Sequence, residues 1–215
     1  ARFALPGIAE HFLRRYPKVR LMLRQGAPAE VNQLVASGEA DICIGSESEG
    51  EDGGLVLFEC YSMKRIVLAP RGHPLFKVRK ITLEALARYP IITYDPPFVG
   101  RSRIVKAFAA RGISPDIFLS SIDSDVIKAY VERGLGIAIL AGLAYDASRD
   151  TRLRAMDASH LFEPNTIYLG VRRNDYLRRY TYDFIQMFAS HLDRKTVEGA
   201  IQAGVPKNIQ KLERE

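Results

Sequence analysis

Residues 5–45, LPGIAEHFLRRYPKVRLMLRQGAPAEVNQLVASGEADICIG, decide the fold. Leu5, Ile8, Ala9, Phe12, Leu13 and Tyr16 recur at i, i+3, i+4, i+7, i+8 and i+11, the spacing of an amphipathic helix. Pro6 suits only its first turn, and Pro17 ends it. In Val19–Gln25, Val19, Leu21 and Leu23 alternate with other residues, which predicts a strand. Gly26-Ala27-Pro28 turns into a second helix with proline at its first position and Val31, Leu34 and Val35 on one face. Gly38 closes that helix, and Asp41-Ile42-Cys43-Ile44-Gly45 reads as a short buried strand. The order helix, strand, helix, strand implies a parallel sheet with helices on its faces, hence the α/β class.

Working outward, Ser46–Gly54 is acidic and glycine-rich and reads as a loop, and strand runs follow at Leu55–Tyr61 and Arg65–Ala69. A second α/β set starts after the turn Pro70-Arg71-Gly72-His73-Pro74. Thr82 is placed to cap a helix at Leu83–Arg88, ahead of a strand at Ile91–Tyr94. Pro96-Pro97-Phe98-Val99-Gly100 makes a rigid turn into a helix ending at Gly112. A strand at Ile117–Ser120, a helix capped by Asp123 or Ser124 and running to Arg133, and a strand at Ile137–Leu140 complete the set. The chain then returns through a strand at Ile167–Val171 and a helix at Tyr176–Leu192, with a polar tail after Arg194. The restart after Pro70 and this late return predict two lobes. Residues 1–62 and 172–215 (with the tail) form the first, and residues 63–171 the second.

Hydrophobic residues make up 47% of the chain and charged residues 26%, a balance that excludes a disordered polymer. No apolar run approaches the roughly 20 residues of a membrane helix, and Ala1–Pro6 carries no secretion signal. Cys43 and Cys60 sit in apolar runs without metal-site spacing, as reduced core residues of a cytoplasmic protein do. The net charge of +6 is spread over scattered groups such as Arg14-Arg15, Arg172-Arg173 and Arg178-Arg179, with no nucleic-acid-binding motif. Such a surface attracts anionic ligands and gives at most weak, salt-sensitive DNA binding.

Catalysis finds no footing. His11, His73, His160 and His191 are far apart, and His73 fits a structural role in its turn. Gly134-Leu135-Gly136 begins like a dinucleotide fingerprint, but Ile139 holds the third glycine position and a strand follows. Neither a phosphate-cradling loop nor a Gly-x-Ser-x-Gly elbow occurs. Glu47, Glu49, Glu51 and Asp52 read as a solvated loop, not a calcium loop, so no metal or other cofactor is expected. Asp123 and Asp125 fit a helix start, where negative charge is favoured. More informative are Phe98-Val99-Gly100-Arg101-Ser102 and Ser121–Asp125, each between a strand and the next helix, with Ser46 just past another strand. Ligands of parallel sheets gather at the carboxyl ends of strands, and helix N-termini offer N–H groups to anions. These positions outline a site for a small anionic or zwitterionic ligand.

Four segments carry a family pattern: Leu5-Pro6-x-x-Ala9-x-x-Phe12-x-x-x-Tyr16-Pro17-x-Val19, Gly38-x-Ala40-Asp41-Ile42, Pro70-x-x-His73-Pro74-Leu75 and Gly134-Leu135-Gly136-Ile137. They resemble the effector-binding domain of LysR-type transcriptional regulators, over the chain to about Leu192. Further segments are similar to the CysB subgroup: Ala1–Gly7, Gln25-Gly26-x-Pro28, Phe98-x-Gly100-Arg101-Ser102, Asp123-x-Asp125-Val126-Ile127-Lys128 and Tyr180-x-Tyr182-Asp183-Phe184-Ile185-Gln186.

The resemblance implies two Rossmann-like lobes joined by two crossover strands, as in type 2 periplasmic binding proteins, with the effector cleft between them. It implies a cytoplasmic homodimer or homotetramer, pairing through the first two helices, that reaches DNA through an upstream helix-turn-helix domain. Its effector would be sulfate, thiosulfate, O-acetylserine, N-acetylserine or a related sulfur metabolite, in control of sulfur assimilation. Ser46 matches a hydroxyl residue that contacts the anion, Met63 replaces a Trp of the cleft wall, and Val99 replaces an anion-binding Thr. Phe98, Gly100, Arg101 and Ser102 complete the expected ligand-binding set, and the subgroup's other anion ligands fall ahead of Ala1. A secreted solute-binding protein of a transporter shares the fold and is the rival reading.

Overall fold

The computed structural model describes residues 5–46, 53–96, 98–173 and 175–203. Ala1–Ala4, the acidic residues Glu47, Glu49, Glu51 and Asp52, Pro97, and the far tail from residue 204 lie outside them. The chain divides into two compact units. One takes in the described residues of Ala1–Gly45, Gly50–Cys60 and Tyr168–Glu215; the other takes in those of Ser46–Glu49 and Tyr61–Ile167.

The first unit begins with α1 (Leu5–Arg15) and α2 (Pro28–Ala36). Pro28 is the first residue of α2, and the Glu30 carboxylate accepts the Ala27 N–H at 2.9 Å, closing the helix entry. Strands β1 (Cys43–Ser46), β2 (Leu55–Met63) and β8 (Asn165–Arg172) form a three-stranded sheet in the order β1-β8-β2. Val35, Cys43 and Leu55 bury together, and both cysteines are free and buried. Gly170 lets β8 approach closely, since a Cβ there would lie 2.6 Å from Cys43 Sγ.

Helix α6 (Arg179–Phe188) packs on α1 through aromatic rings. Phe12 lies edge-on to Phe184 with centroids 5.2 Å apart, and the Tyr16 hydroxyl donates to the Asp183 carboxylate. Helix α7 (Arg194–Ala203) stands where a polar tail was expected. The Asp193 carboxylate caps it by accepting the Thr196 N–H at 2.7 Å, and Val197, Ala200 and Ile201 are buried. Three apolar residues at helical spacing suffice to dock an otherwise charged segment.

A second departure concerns residues 19–25, which form no strand. Alternation alone does not make one: no neighbouring strand among the described residues pairs with them, and Met22 and Leu23 stay exposed.

The second unit is built on a five-stranded sheet ordered β5-β4-β6-β3-β7. Its strands are β3 (Arg65–Pro70), β4 (Ile91–Thr93), β5 (Ile117–Ser120), β6 (Ile137–Ala141) and β7 (Leu153–Asp157). Strand β4 runs parallel to β5 and β6, while β3 runs antiparallel to β6 and β7. One apolar cluster gathers Val67, Ile91, Ile104, Phe108 and Ile137; another gathers Leu68, Ile92, Ile127, Val131 and Leu140. They contain alternate residues of the same strands, so helices cover both faces of the sheet. Helices α3 (Leu83–Leu86), α4 (Val99–Ala109) and α5 (Ser124–Glu132) connect the strands, and Thr82 caps α3 through the Ala85 N–H at 3.2 Å. The glycine pair ahead of β6 has a backbone reason: Gly134 takes a φ of 73°, and a Cβ at Gly136 would collide with the Pro90 carbonyl.

Lys128 and Asp150 are both buried beside α5. The Lys128 ammonium donates to the two Asp150 oxygens at 2.9 and 3.1 Å, and Asp125 approaches it to 3.0 Å.

Candidate functional site

In the five-stranded sheet, Thr93, Ser120 and Ala141 end the parallel strands β4, β5 and β6 on one edge. Because β3 is antiparallel, its first residue, Arg65, sits on that same edge opposite Ala141. The Thr93 hydroxyl is buried and donates to the Ile139 carbonyl at 2.9 Å, so it is spent inside the sheet.

Two helices start above this edge, with contrasting ends. Helix α5 is closed by its own residues: the Ser121 hydroxyl accepts from the Asp123 N–H at 3.1 Å, and Asp123 Oδ1 accepts from the Asp125 N–H at 2.8 Å. Helix α4 is open. Phe98 occupies its cap position in an extended conformation (φ −87°, ψ 123°), and no side chain among the described residues caps it. The Arg101 and Ser102 N–H groups turn back to the Phe98 carbonyl, at 2.8 and 3.4 Å. This leaves the Val99 and Gly100 N–H groups as those offered at this end.

Beneath this turn lies the Arg65 guanidinium. A Cβ on Gly100 would come within 2.5 Å of Arg65 Nη2, 3.1 Å of Nη1 and 3.2 Å of Cζ, so with any other residue at position 100 the guanidinium would have to shift. Arg65 is 1% exposed, and its Nε, Nη1 and Nη2 have no hydrogen-bond partner among the described residues. Burial pulls its pKa down, the neighbouring Tyr94 works in the opposite direction, and Arg103 adds a like charge. Tyr94 is no counter-charge, because burial pushes its phenol above its ordinary value. Arg103 has partners of its own: it donates to the Pro164 carbonyl and meets the Glu163 carboxylate at 3.6 Å. Arg101 Nη1 donates to the Tyr94 carbonyl at 3.4 Å, and the Tyr94 and Phe98 rings lie 6.0 Å apart.

Of the sequence-predicted residues, Phe98, Val99, Gly100, Arg101 and Ser102 form this one turn, with Val99 buried. Met63 ends β2, half-buried, two residues ahead of Arg65; Ser46 ends β1, also half-buried. Arg65 is what sequence reasoning missed. Its signal was a charged residue heading the apolar run Ile66-Val67-Leu68-Ala69. Among the described residues, no group of three or more His, Cys, Asp and Glu side chains could hold a metal ion.

A family model described as the LysR substrate binding domain matches residues 1–193. The chain belongs to the LysR family. Other members are similar over almost its whole length. The HTH-type transcriptional regulator SsuR of Burkholderia cenocepacia is 47% identical over 95% of this chain and 67% of its own. The regulator CysB of the same organism is 41% identical over 94% of this chain and 64% of its own. The regulator cbl of Escherichia coli is 39% identical over 97% and 66%. The chain thus spans about two thirds of the length of these LysR regulators. Its fold is similar to the crystal structure of the cofactor-binding domain of the Cbl regulator, with a TM-score of 0.88 and 40% identity over 93% of this chain and 88% of that one. The effector-binding domain of QuiR in complex with shikimate is 20% identical with a TM-score of 0.75, a likeness of fold alone. The mixed α/β fold is that of LysR effector-binding domains, the type 2 periplasmic-binding-like class. No helix among the described residues is long and apolar enough to cross a membrane.

Proposed function

We propose that this chain is the effector-sensing part of a LysR-type transcription regulator of sulfur assimilation or sulfonate use. It binds a small anionic or zwitterionic sulfur-pathway metabolite such as sulfate, thiosulfate, O-acetylserine or N-acetylserine. Ser46, Met63 and the turn Phe98–Ser102 hold the ligand, without catalysis. The observation that carries this reading is the uncapped start of α4 at the carboxyl edge of the parallel strands, with the Val99 and Gly100 N–H groups offered. Its relatives SsuR, CysB and cbl are regulators, which favours a sensor over a transporter's solute-binding protein. In the full-length protein, ligand binding shifts the population of a cytoplasmic homodimer or homotetramer whose upstream domains contact DNA.

Calorimetric titration of the chain with those four compounds tests the reading. At least one binds with a dissociation constant below about 1 mM, the weak end of specific recognition. Absence of binding by all four overturns it.

A further inference from the structure

The start of α4 and Arg65 are both positive, and they are neighbours. A helix N-terminus carries about half a positive charge. The guanidinium against Gly100 adds a full one, 1% exposed and, among the described residues, with no hydrogen-bond partner on Nε, Nη1 or Nη2. A charge removed from water and left unpaired destabilises a fold unless something of opposite sign joins it. Among the described residues, the two groups named as acting on its charge do not supply that sign: Tyr94 is a neutral phenol, and Arg103 is a second cation. Glycine at position 100 leaves the room that the guanidinium occupies, because a Cβ there would lie 2.5 Å from Nη2.

We infer that Arg65 sets the charge specificity of the site, serving as the buried counter-charge that makes an anionic group on the ligand obligatory at the start of α4. This rests on the effector-site reading above and deepens it. The anionic group takes the Val99 and Gly100 N–H bonds and neutralises the guanidinium behind them. A guanidinium suits oxyanions, whose oxygens match its planar fork of donors. Neutral ligands of the same shape leave the charge unpaired and are rejected.

The test compares the unaltered chain with Arg65→Met and Arg65→Lys, using sulfate, N-acetylserine and the neutral N-acetylserinamide. Thermal unfolding and calorimetry are the readouts. Sulfate and N-acetylserine raise the melting temperature of the unaltered chain, and N-acetylserinamide does not. Arg65→Met melts at the same or a higher temperature without ligand, because a buried unpaired charge is gone. It binds both anions roughly ten- to a hundredfold more weakly, the loss expected for a charged hydrogen bond. Arg65→Lys keeps the charge and recovers part of that affinity.

Each contrary result has its own meaning. If N-acetylserinamide binds as tightly as N-acetylserine, the effector site stands and the charge requirement falls. If Arg65→Met unfolds at a markedly lower temperature without ligand, Arg65 has a structural partner and the inference is overturned. If Arg65→Met binds the anions as the unaltered chain does, the inference again fails while the site survives. If neither anion shifts the unaltered chain, the inference falls, and the effector-site reading then stands or falls with thiosulfate and O-acetylserine.

Discussion

Gly100 and Arg65 are fitted to each other: a Cβ at residue 100 would lie 2.5 Å from Arg65 Nη2, inside any real contact distance. The two residues should therefore be coupled energetically. Gly100→Ala gains up to about 1 kcal/mol of helix propensity but overpacks a buried guanidinium at about 1–3 kcal/mol. We expect a net loss of about 1 kcal/mol in urea unfolding and a weaker response to sulfate. In an Arg65→Met background the shorter side chain makes room, and Gly100→Ala becomes neutral or stabilising. Equal effects in both backgrounds would show that the two residues are independent.

The Lys128–Asp150 pair is a separate structural device. Removing one partner of a buried ion pair strands the other, at about 3–5 kcal/mol. Lys128→Met should lower the stability of the chain by about that amount and leave the α4 turn untouched. Burial alone would lower the Lys128 pKa, but its hydrogen bonds to the Asp150 and Asp125 carboxylates outweigh it and raise the value. A base with a raised folded pKa stabilises fully below its unfolded value, here 10.5, and loses that contribution as pH climbs through the folded value. Urea midpoints from pH 7 to 11 should converge for the unaltered chain and Lys128→Met only in alkali. Convergence near neutral pH would contradict the assignment.

His73 gives the opposite dependence. Its Nδ1 accepts the Leu75 N–H at 3.2 Å, its ring packs on Tyr89 at 4.6 Å, and burial lowers its pKa. A base with a depressed folded value is protonated first in the unfolded chain. Its contribution is whole above the unfolded value of 6.5 and is lost as pH falls toward the lowered one. His73→Asn keeps an acceptor that does not titrate. Between pH 8 and 5 the unaltered chain should lose more stability than this variant, and parallel declines would remove His73 as the cause.

What was legible in the sequence was local chemistry. Pro28 at a helix start, Thr82 and Asp123 as caps, and the glycine closing α2 each act within a few residues. The α4 turn was legible for the same reason, since strand, proline-rich turn and helix follow one another. What depends on distant partners was not. Val19–Gln25 alternates like a strand, yet a strand exists only with a neighbour, and 19–25 has none among the described residues. Strand β7 and helix α7 escaped because burial of a few apolar positions, such as Val197 and Ile201, is decided by the surface they meet. Arg65 lay furthest from reach, for its burial needs Ala141 and Gly100, both remote in sequence. Asp123 was readable as a cap, but the contrast between a closed α5 and an open α4 required the hydrogen bonds themselves.

Val99 is the first residue of α4 and is buried. Val99→Thr places a hydroxyl beside the offered N–H groups, at about 1–2 kcal/mol of stability because valine and threonine are not equivalent in a core. Sulfate affinity should rise roughly tenfold or more, as one hydrogen bond to a charged group is regained. Low-micromolar sulfate binding by the unaltered chain, with no gain from Val99→Thr, would show that Val99 limits nothing.

Phe98→Asp should convert the ligand site into a closed helix end. Residue 98 already has the extended backbone of an N-cap, and it lacks only an oxygen. An aspartate there accepts the Gly100 N–H and brings a fixed negative charge to the positive end of α4, next to Arg65. The cap contributes about 0.5–2 kcal/mol, against roughly 1 kcal/mol lost with the Phe98 ring that neighbours Tyr94. Relief of the unpaired guanidinium tips the balance, so Phe98→Asp should melt no lower than the unaltered chain and show no response to sulfate. Phe98→Ala is the control: it loses the ring, leaves the helix open, melts lower and retains more of the sulfate response than Phe98→Asp. The two variants thus move stability and binding in opposite directions, which simple damage to the turn cannot do. A Phe98→Asp chain that still binds sulfate as tightly as the unaltered one would place the anion elsewhere.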